Sequence, residues 1–146
     1  MATIQAFTME HYQAAYNLWR DTPGIGISSA DEPQAIEQYL LRNPGTSFAA
    51  FADKALVGTI LCGHDGRRGY VHHLVVNPAY RRRGIATQLV TTALNQLKTI
   101  GISKCHLFIF AQNKTGIAFW QNVGWTLRED IHIMSKFISE DDGSSC

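Results

Sequence analysis

Leu74-Val75-Val76-Asn77-Pro78-Ala79-Tyr80-Arg81-Arg82-Arg83-Gly84-Ile85-Ala86 is the stretch on which the reading of this chain turns. An apolar run that stops at Pro78 reads as a strand, the three arginines as a loop, and Gly84 as the beginning of a helix. The first N–H groups of any helix have no carbonyl one turn earlier to bond. They point outward with the positive end of the helix dipole and so make a seat for an anion. At Gly84 a phosphate could approach the main chain with no Cβ in the way, and Ala86 keeps the next turn small. Arg81, Arg82 and Arg83 can add charge-assisted contacts. Two other phosphate loops are excluded: neither Gly-x-x-x-x-Gly-Lys-Ser/Thr nor Gly-x-Gly-x-x-Gly occurs.

Outward from this stretch, the pattern gives an order of elements. Upstream, Tyr70 to Val76 is a strand, preceded by a turn at Asp65–Gly69. Ser47 to Ala52 and Ala55 to Gly63 form a hairpin about Asp53-Lys54. Before these come two helices. Thr8 can cap one that runs to Arg20 with Tyr12, Ala15, Tyr16 and Trp19 on one face. Asp31 can cap the other, with Pro33 in its first turn and Ile36, Tyr39 and Leu40 inside. Ala2 to Phe7 reads as an opening strand. Downstream, Gly84 to Ile100 is a helix with a buried stripe of Ile85, Leu89, Ala93 and Leu97. Lys104 to Phe110 is a strand, Thr115 to Asn122 a short helix, and Trp125 to Phe137 two last strands. The expectation is an α+β chain with a mixed sheet, β-α-α-β-β-β-α-β-α-β-β, with residues 1–138 as one domain and 139–146 as a frayed acidic tail.

Composition narrows the classes. No run of about 18 apolar residues occurs, and the start lacks the basic and apolar stretches of a signal peptide. The three cysteines, Cys62, Cys105 and Cys146, are widely spaced, which suits a reducing cytoplasm and gives neither a disulfide framework nor a metal site. Net charge is +1, yet Gly66 to Arg128 contains no acid and carries Arg67, Arg68, Arg81, Arg82, Arg83, Lys98, Lys104, Lys114 and Arg128. That asymmetry predicts a cationic pole with an anionic partner. Nucleic acid is the competing partner, but the basic residues follow no helix-turn-helix or aromatic RNA-binding pattern, and a small polyphosphate fits better.

The segment Val76-Asn77-Pro78-Ala79-Tyr80-Arg81-Arg82-Arg83-Gly84-Ile85-Ala86 resembles the signature of the GNAT superfamily of N-acetyltransferases, Arg/Gln-x-x-Gly-x-Gly/Ala after Val-x-Pro-x-Tyr-Arg. Asn113, Ala118, Phe119, Trp120, Gly124 and Trp125 resemble that family's downstream stretch, and the order of elements matches as well. The resemblance implies acetyl-CoA as co-substrate and a primary amine as acceptor, in a small molecule or a protein. It also implies a mostly antiparallel sheet whose fourth and fifth strands splay apart around the cofactor. By position, the backbone of Leu74, Val75 and Val76 would bond the pantetheine arm. Arg82, Arg83, Gly84, Ile85, Ala86 and Thr87 would cradle the pyrophosphate, with Arg81 at its edge and Asn113 across the cleft. Such proteins are often dimers, though no segment here demands it.

Direct transfer to an amine needs a base. Simple alternation places Tyr70, His72, Leu74 and Val76 on one face of their strand and Val71, His73 and Val75 on the other. Tyr70 and His72 stand where family members often place a glutamate, and His72 has the better intrinsic pKa for the task. The family's usual tyrosine acid is replaced by Trp120, whose N–H can donate a hydrogen bond but not a proton at useful pH. That departure leaves open a non-catalytic acyl-CoA sensor. The acids Asp21, Asp31, Glu32, Glu37, Glu129 and Asp130 in the regions flanking the acceptor suggest a cationic amine.

Overall fold

The computed structural model describes residues 2–139. The chain runs β1 (Thr3–Ala6), α1 (Tyr12–Arg20), α2 (Pro33–Arg42), β2 (Phe48–Ala52), β3 (Ala55–His64), β4 (Gly69–Val76), α3 (Ile85–Ile100), β5 (Cys105–Leu107) and α4 (Lys114–Asn122). Single 3-10 turns occupy Met9–His11, Ser29–Asp31 and Pro78–Tyr80. The five strands form one sheet in sequential order, antiparallel from β1 to β4 and parallel between β4 and β5. Parallel neighbours need a long crossover, and α3 supplies it. The fold is thus a mixed α/β one.

Each face of the sheet is covered by helix. Ile85, Leu89, Val90, Ala93 and Leu97 of α3 pack on Phe48, Ala50, Val57, Ile60, Cys62, Val71 and Val76. On the opposite face Tyr12, Ala15 and Trp19 of α1 and Ile36 of α2 pack on Phe7, Ala49, Leu61 and Val75. Burial of each large apolar side chain contributes about 1.5–3 kcal/mol, which explains why the stripes predicted from helical spacing are the ones buried. The hairpin at Asp53-Lys54 is also as expected. Both residues take positive φ, 52° and 68°, as a two-residue turn between twisted strands requires.

Three expectations are corrected. Trp125 to Phe137 forms no strand, and Leu127, Ile131, Ile133, Met134 and Phe137 are exposed. Alternating apolar residues become a strand only where a neighbour supplies hydrogen bonds, and β5 is too short an edge to do so. β5 itself spans Cys105–Leu107, not Lys104 to Phe110. Asp31 does not cap α2. It lies in the preceding 3-10 turn, and the cap position is Glu32, with no side-chain bond. The predicted frayed tail, apart from Ser139, lies outside the described residues. No described helix is long and apolar enough to cross a membrane.

Candidate active site

The strand that carries both adjacent histidines does not alternate. Leu61 pairs with His72 and Thr59 with Val75, so three steps along β4 match two along β3. This is a β-bulge, and its extra residue is His73, at φ 47°. A non-glycine residue held there costs on the order of 1–3 kcal/mol and persists only where its surroundings fix it. The expected division of faces therefore fails beyond His72. His72 lies near Tyr39 of α2, and His73 turns to the same helical layer, touching Trp19 of α1. Leu74 and Val76 pack toward α3, and Val75 toward α1.

The bulge sits where the sheet opens. β4 and β5 pair at Gly69/Cys105, Tyr70/His106 and Val71/Leu107, and no pair follows among the described residues. From His72 onward one edge of β4 is still held by β3, through Thr59/Val75 and Gly58/Val76, while the other edge has lost its parallel neighbour. His72 is the first residue past the last pair. Its ring lies 6.1 Å from the Tyr39 ring and 6.4 Å from Phe108, and Tyr70 lies 5.8 Å from His106 and 6.3 Å from Phe108. Burial pushes the His72 pKa below its ordinary value, the charge of His73 lowers it further, and Asp31 opposes both. His72 is therefore a neutral imidazole at neutral pH, the form that accepts a proton.

One turn beyond the opening lies the stretch that the sequence reads as an anion seat. After the Pro78–Tyr80 turn, Arg82 takes φ 65° and Gly84 φ 78°, and α3 begins at Ile85. The first backbone bond of α3 runs from the Gln88 N–H to the Gly84 carbonyl, 3.0 Å, and no side chain caps the helix. The N–H groups of Ile85, Ala86 and Thr87 thus have no carbonyl a turn earlier. A Cβ built on Gly84 meets no atom within 4 Å, so the space in front of these donors is open. Arg82, Arg83, Gly84 and Thr87 are exposed, Ala86 is half-buried and Ile85 is buried in the core. Arg81 turns its Nε to the Val76 carbonyl, 3.3 Å, and Arg83 lies over the Tyr80 ring. The residues present fit a pyrophosphate.

Asn113 caps α4: its Oδ1 accepts from the Gly116 N–H at 2.9 Å. Trp120 packs on the α3-side core and meets Trp125 edge-on at 4.8 Å, so it serves packing. Two charge arguments change. The basic residues do not share one pole: Arg67, Arg68 and Lys104 lie at the beginning of β4 and Arg81–Arg83 beyond its end, roughly 25 Å away along an eight-residue strand. Among the acids, Asp31 is bonded to His73, Asp21 to Arg20 and Asp130 to Arg128. Glu32 lines a cleft of about 360 Å³ with Tyr12, Gln13, Tyr16, Ile27 and Ser28.

Sequence reasoning reads Asp31 as a cap and puts His73 on the strand face away from His72; the structure pairs Asp31 with His73 at 2.7 Å. The doubled histidine before an apolar run was the available hint, but nothing in spacing announces a bulge.

Comparison with known proteins bears on the whole arrangement. Residues 12–125 match the model of a family described as the acetyltransferase (GNAT) family. An acetyltransferase of Sodalis glossinidius is 27% identical over 138 residues, covering 94% of this chain and 96% of that protein. The crystal structure of PaiA N-acetyltransferase from Thermoplasma acidophilum in complex with coenzyme A superposes with a TM-score of 0.76 at 20% identity, over 88% of this chain and 91% of that one. An aminoglycoside antibiotic 6'-N-acetyltransferase from Acinetobacter haemolyticus gives 0.74 at 20% identity, over 94% of this chain and 99% of its own. At these identities the solved structures speak for the fold alone.

Proposed function

We propose that this chain, which belongs to the acetyltransferase (GNAT) family, moves the acetyl group of acetyl-CoA to a primary amine by direct attack in a ternary complex. The observation that carries the proposal is the juxtaposition of an open anion seat at the beginning of α3 with a strand edge whose parallel neighbour is lost from His72 onward. Acetyl-CoA, when bound, supplies an activated thioester. The chain's own groups do the rest. The N–H groups of Gly84, Ile85, Ala86 and Thr87 hold the pyrophosphate, with Arg82 and Arg83 adding charge and Arg81 bracing the loop through Val76. The free edge of Leu74 to Val76 bonds the pantetheine arm from one side, and the Asn113 amide from the other.

His72 takes the proton that the amine must lose as its nitrogen attacks, a role that suits an imidazole left neutral by burial. Tyr70, on the same side of β4 beside Phe108, shapes the wall next to it. The thiolate needs little help, since a free thiol has a pKa near 8.5 and leaves without a strong acid. For the acceptor, the cleft lined by Glu32, Tyr12 and Tyr16 favours a cationic amine, because a carboxylate and two ring faces attract an ammonium group. Supporting acetyl-CoA as the donor, the similar PaiA protein was crystallised with coenzyme A. A second reading, an acyl-CoA sensor, draws support from Trp120, which stands where family enzymes carry a tyrosine.

Isothermal titration of acetyl-CoA, with adenosine as the control, tests the seat, and thiol release with a panel of primary amines tests turnover. Binding of acetyl-CoA on the order of micromolar, with amine-dependent thiol release, is the expected result. Binding without release on any amine would establish the sensor, and no binding would remove the proposal.

A further inference from the structure

His73 is held at its backbone, its carbonyl and its ring, and the reaction as drawn does not use it. Its Nε2 lies 2.7 Å from Asp31 Oδ1, with side-chain exposures of 14% and 8%. At that distance Nε2 carries a proton, because two bare acceptors would repel. Its main-chain carbonyl accepts from Thr59 Oγ1 at 2.9 Å, and that hydroxyl in turn accepts from Trp19 Nε1 at 2.9 Å. Its ring lies 4.7 Å from the Trp19 ring. Asp31 is fixed just as fully. Oδ2 accepts from the Ser28 N–H at 3.0 Å, and the Asp31 carbonyl accepts from Tyr12 Oη at 2.6 Å. One hydrogen bond therefore joins the connection between α1 and α2 to the bulged residue of β4.

What that joint controls follows from what lies on each side. On the β4 side is His72, which directly precedes His73 and is the first residue past the last β4–β5 pair. On the other side, Ser28 and the neighbouring Glu32 line the cleft between α1 and the second helix. We propose that the Asp31–His73 pair is a positioning clamp. It ties the acceptor-side segment at Ser28–Glu32 to the residue of β4 that follows His72, and so fixes where an acceptor stands relative to His72. His73 is a positioning residue and not the base, since the proton-bearing nitrogen is committed to Asp31. The kinetic part of the proposal rests on the acetyl-transfer reading; the clamp itself does not.

Two substitutions separate the clamp from its alternatives. Asparagine is at ease at positive φ, so His73→Asn relieves the backbone while its short amide cannot reach Asp31. Glutamine places an amide nitrogen near the position of Nε2, so His73→Gln keeps a donor to Asp31 and discards the imidazole. The first measurement is hydrogen–deuterium exchange of the ligand-free protein. His73→Asn should speed exchange in the peptide covering Ser28–Glu32, and His73→Gln should leave it at the wild-type rate. The second is steady-state kinetics with the amine that the panel identifies, beside acetyl-CoA titration. His73→Asn should lower kcat by about tenfold to a hundredfold, His73→Gln should stay within about threefold, and acetyl-CoA affinity should be unchanged in both. Equal loss in both variants would make His73 a catalytic base and overturn the clamp. Unchanged exchange in His73→Asn would overturn it as well. If the wild type acetylates no amine, the exchange pattern alone decides the clamp, and the failure belongs to the acetyl-transfer reading.

Discussion

Gly84 and Gly101 bound the same helix in left-handed backbone, at φ 78° and φ 105°, and a Cβ on either would meet no protein atom within 4 Å. Replacing each by alanine is therefore a matched pair. Left-handed backbone costs an L-residue about 1–2 kcal/mol, and the smaller unfolded-state entropy of alanine returns about 0.4–1 kcal/mol, leaving a net loss near 1 kcal/mol at each position. In a chain of this length that is a drop in Tm of roughly 4 °C. The two differ only in what lies in front of them. At Gly84 the methyl group would stand before the N–H groups of Ile85, Ala86 and Thr87. Loss of one charge-assisted bond costs about 1.5–3 kcal/mol, so acetyl-CoA should bind about 10- to 150-fold more weakly to Gly84→Ala. Gly101→Ala should bind as the wild type does. Thermal melts and isothermal titration of the three proteins make the comparison. Equal Kd values for the two variants would show that no phosphate sits on the main chain at Gly84, and the anion seat would have to be abandoned.

His72→Gln should lower kcat/KM by about a hundredfold to ten-thousandfold and abolish the acidic limb of the pH profile. In the wild type that limb should fall as pH drops through a pKa under the ordinary 6.5, because burial and His73 hold His72 neutral down to lower pH. Asn113→Ala removes the cap of α4 and should cost about 0.5–2 kcal/mol by urea unfolding, together with a rise in acetyl-CoA Kd. Leu89→Ala, at a position with no solvent exposure, should cost about 2–5 kcal/mol in the same assay and leave the Kd unchanged.

The stripes of α1 and α3, the Asp53-Lys54 hairpin and the strand-loop-helix stretch around Gly84 were legible in the sequence because each rests on local periodicity or on a backbone preference. Ile85, Leu89, Ala93 and Leu97 repeat at helical spacing, and a helix obeys its own hydrogen bonds. What was hidden depends on partners distant in sequence. Ile131 and Ile133 alternate like a strand yet find no edge. Asp31 has the look of a cap, but its carboxylate is claimed by a ring 42 residues away. The bulge at His73 is set by pairing with β3, where Thr59 and Leu61 hold their places and β4 must absorb the extra residue. Of the candidate site, the strand-loop-helix stretch around Gly84 was therefore predictable, and the orientation of His73 was not.

That same bulge sets a rule for how chain length can drift among descendants of this protein. The turn at Asp65–Arg68 is exposed and closed by local bonds, so residues could be gained or lost there with little harm. Between Val71 and Val76 no such freedom exists. Deleting His73 would give a smoother pleat with the remaining faces unchanged, yet it would take from Asp31 its ring partner and from the Thr59 hydroxyl the carbonyl it bonds. Divergence in this segment must proceed by substitution at constant length, which makes the spacing of the doubled histidine from Gly84 a sharper marker of working relatives than the identity of either histidine.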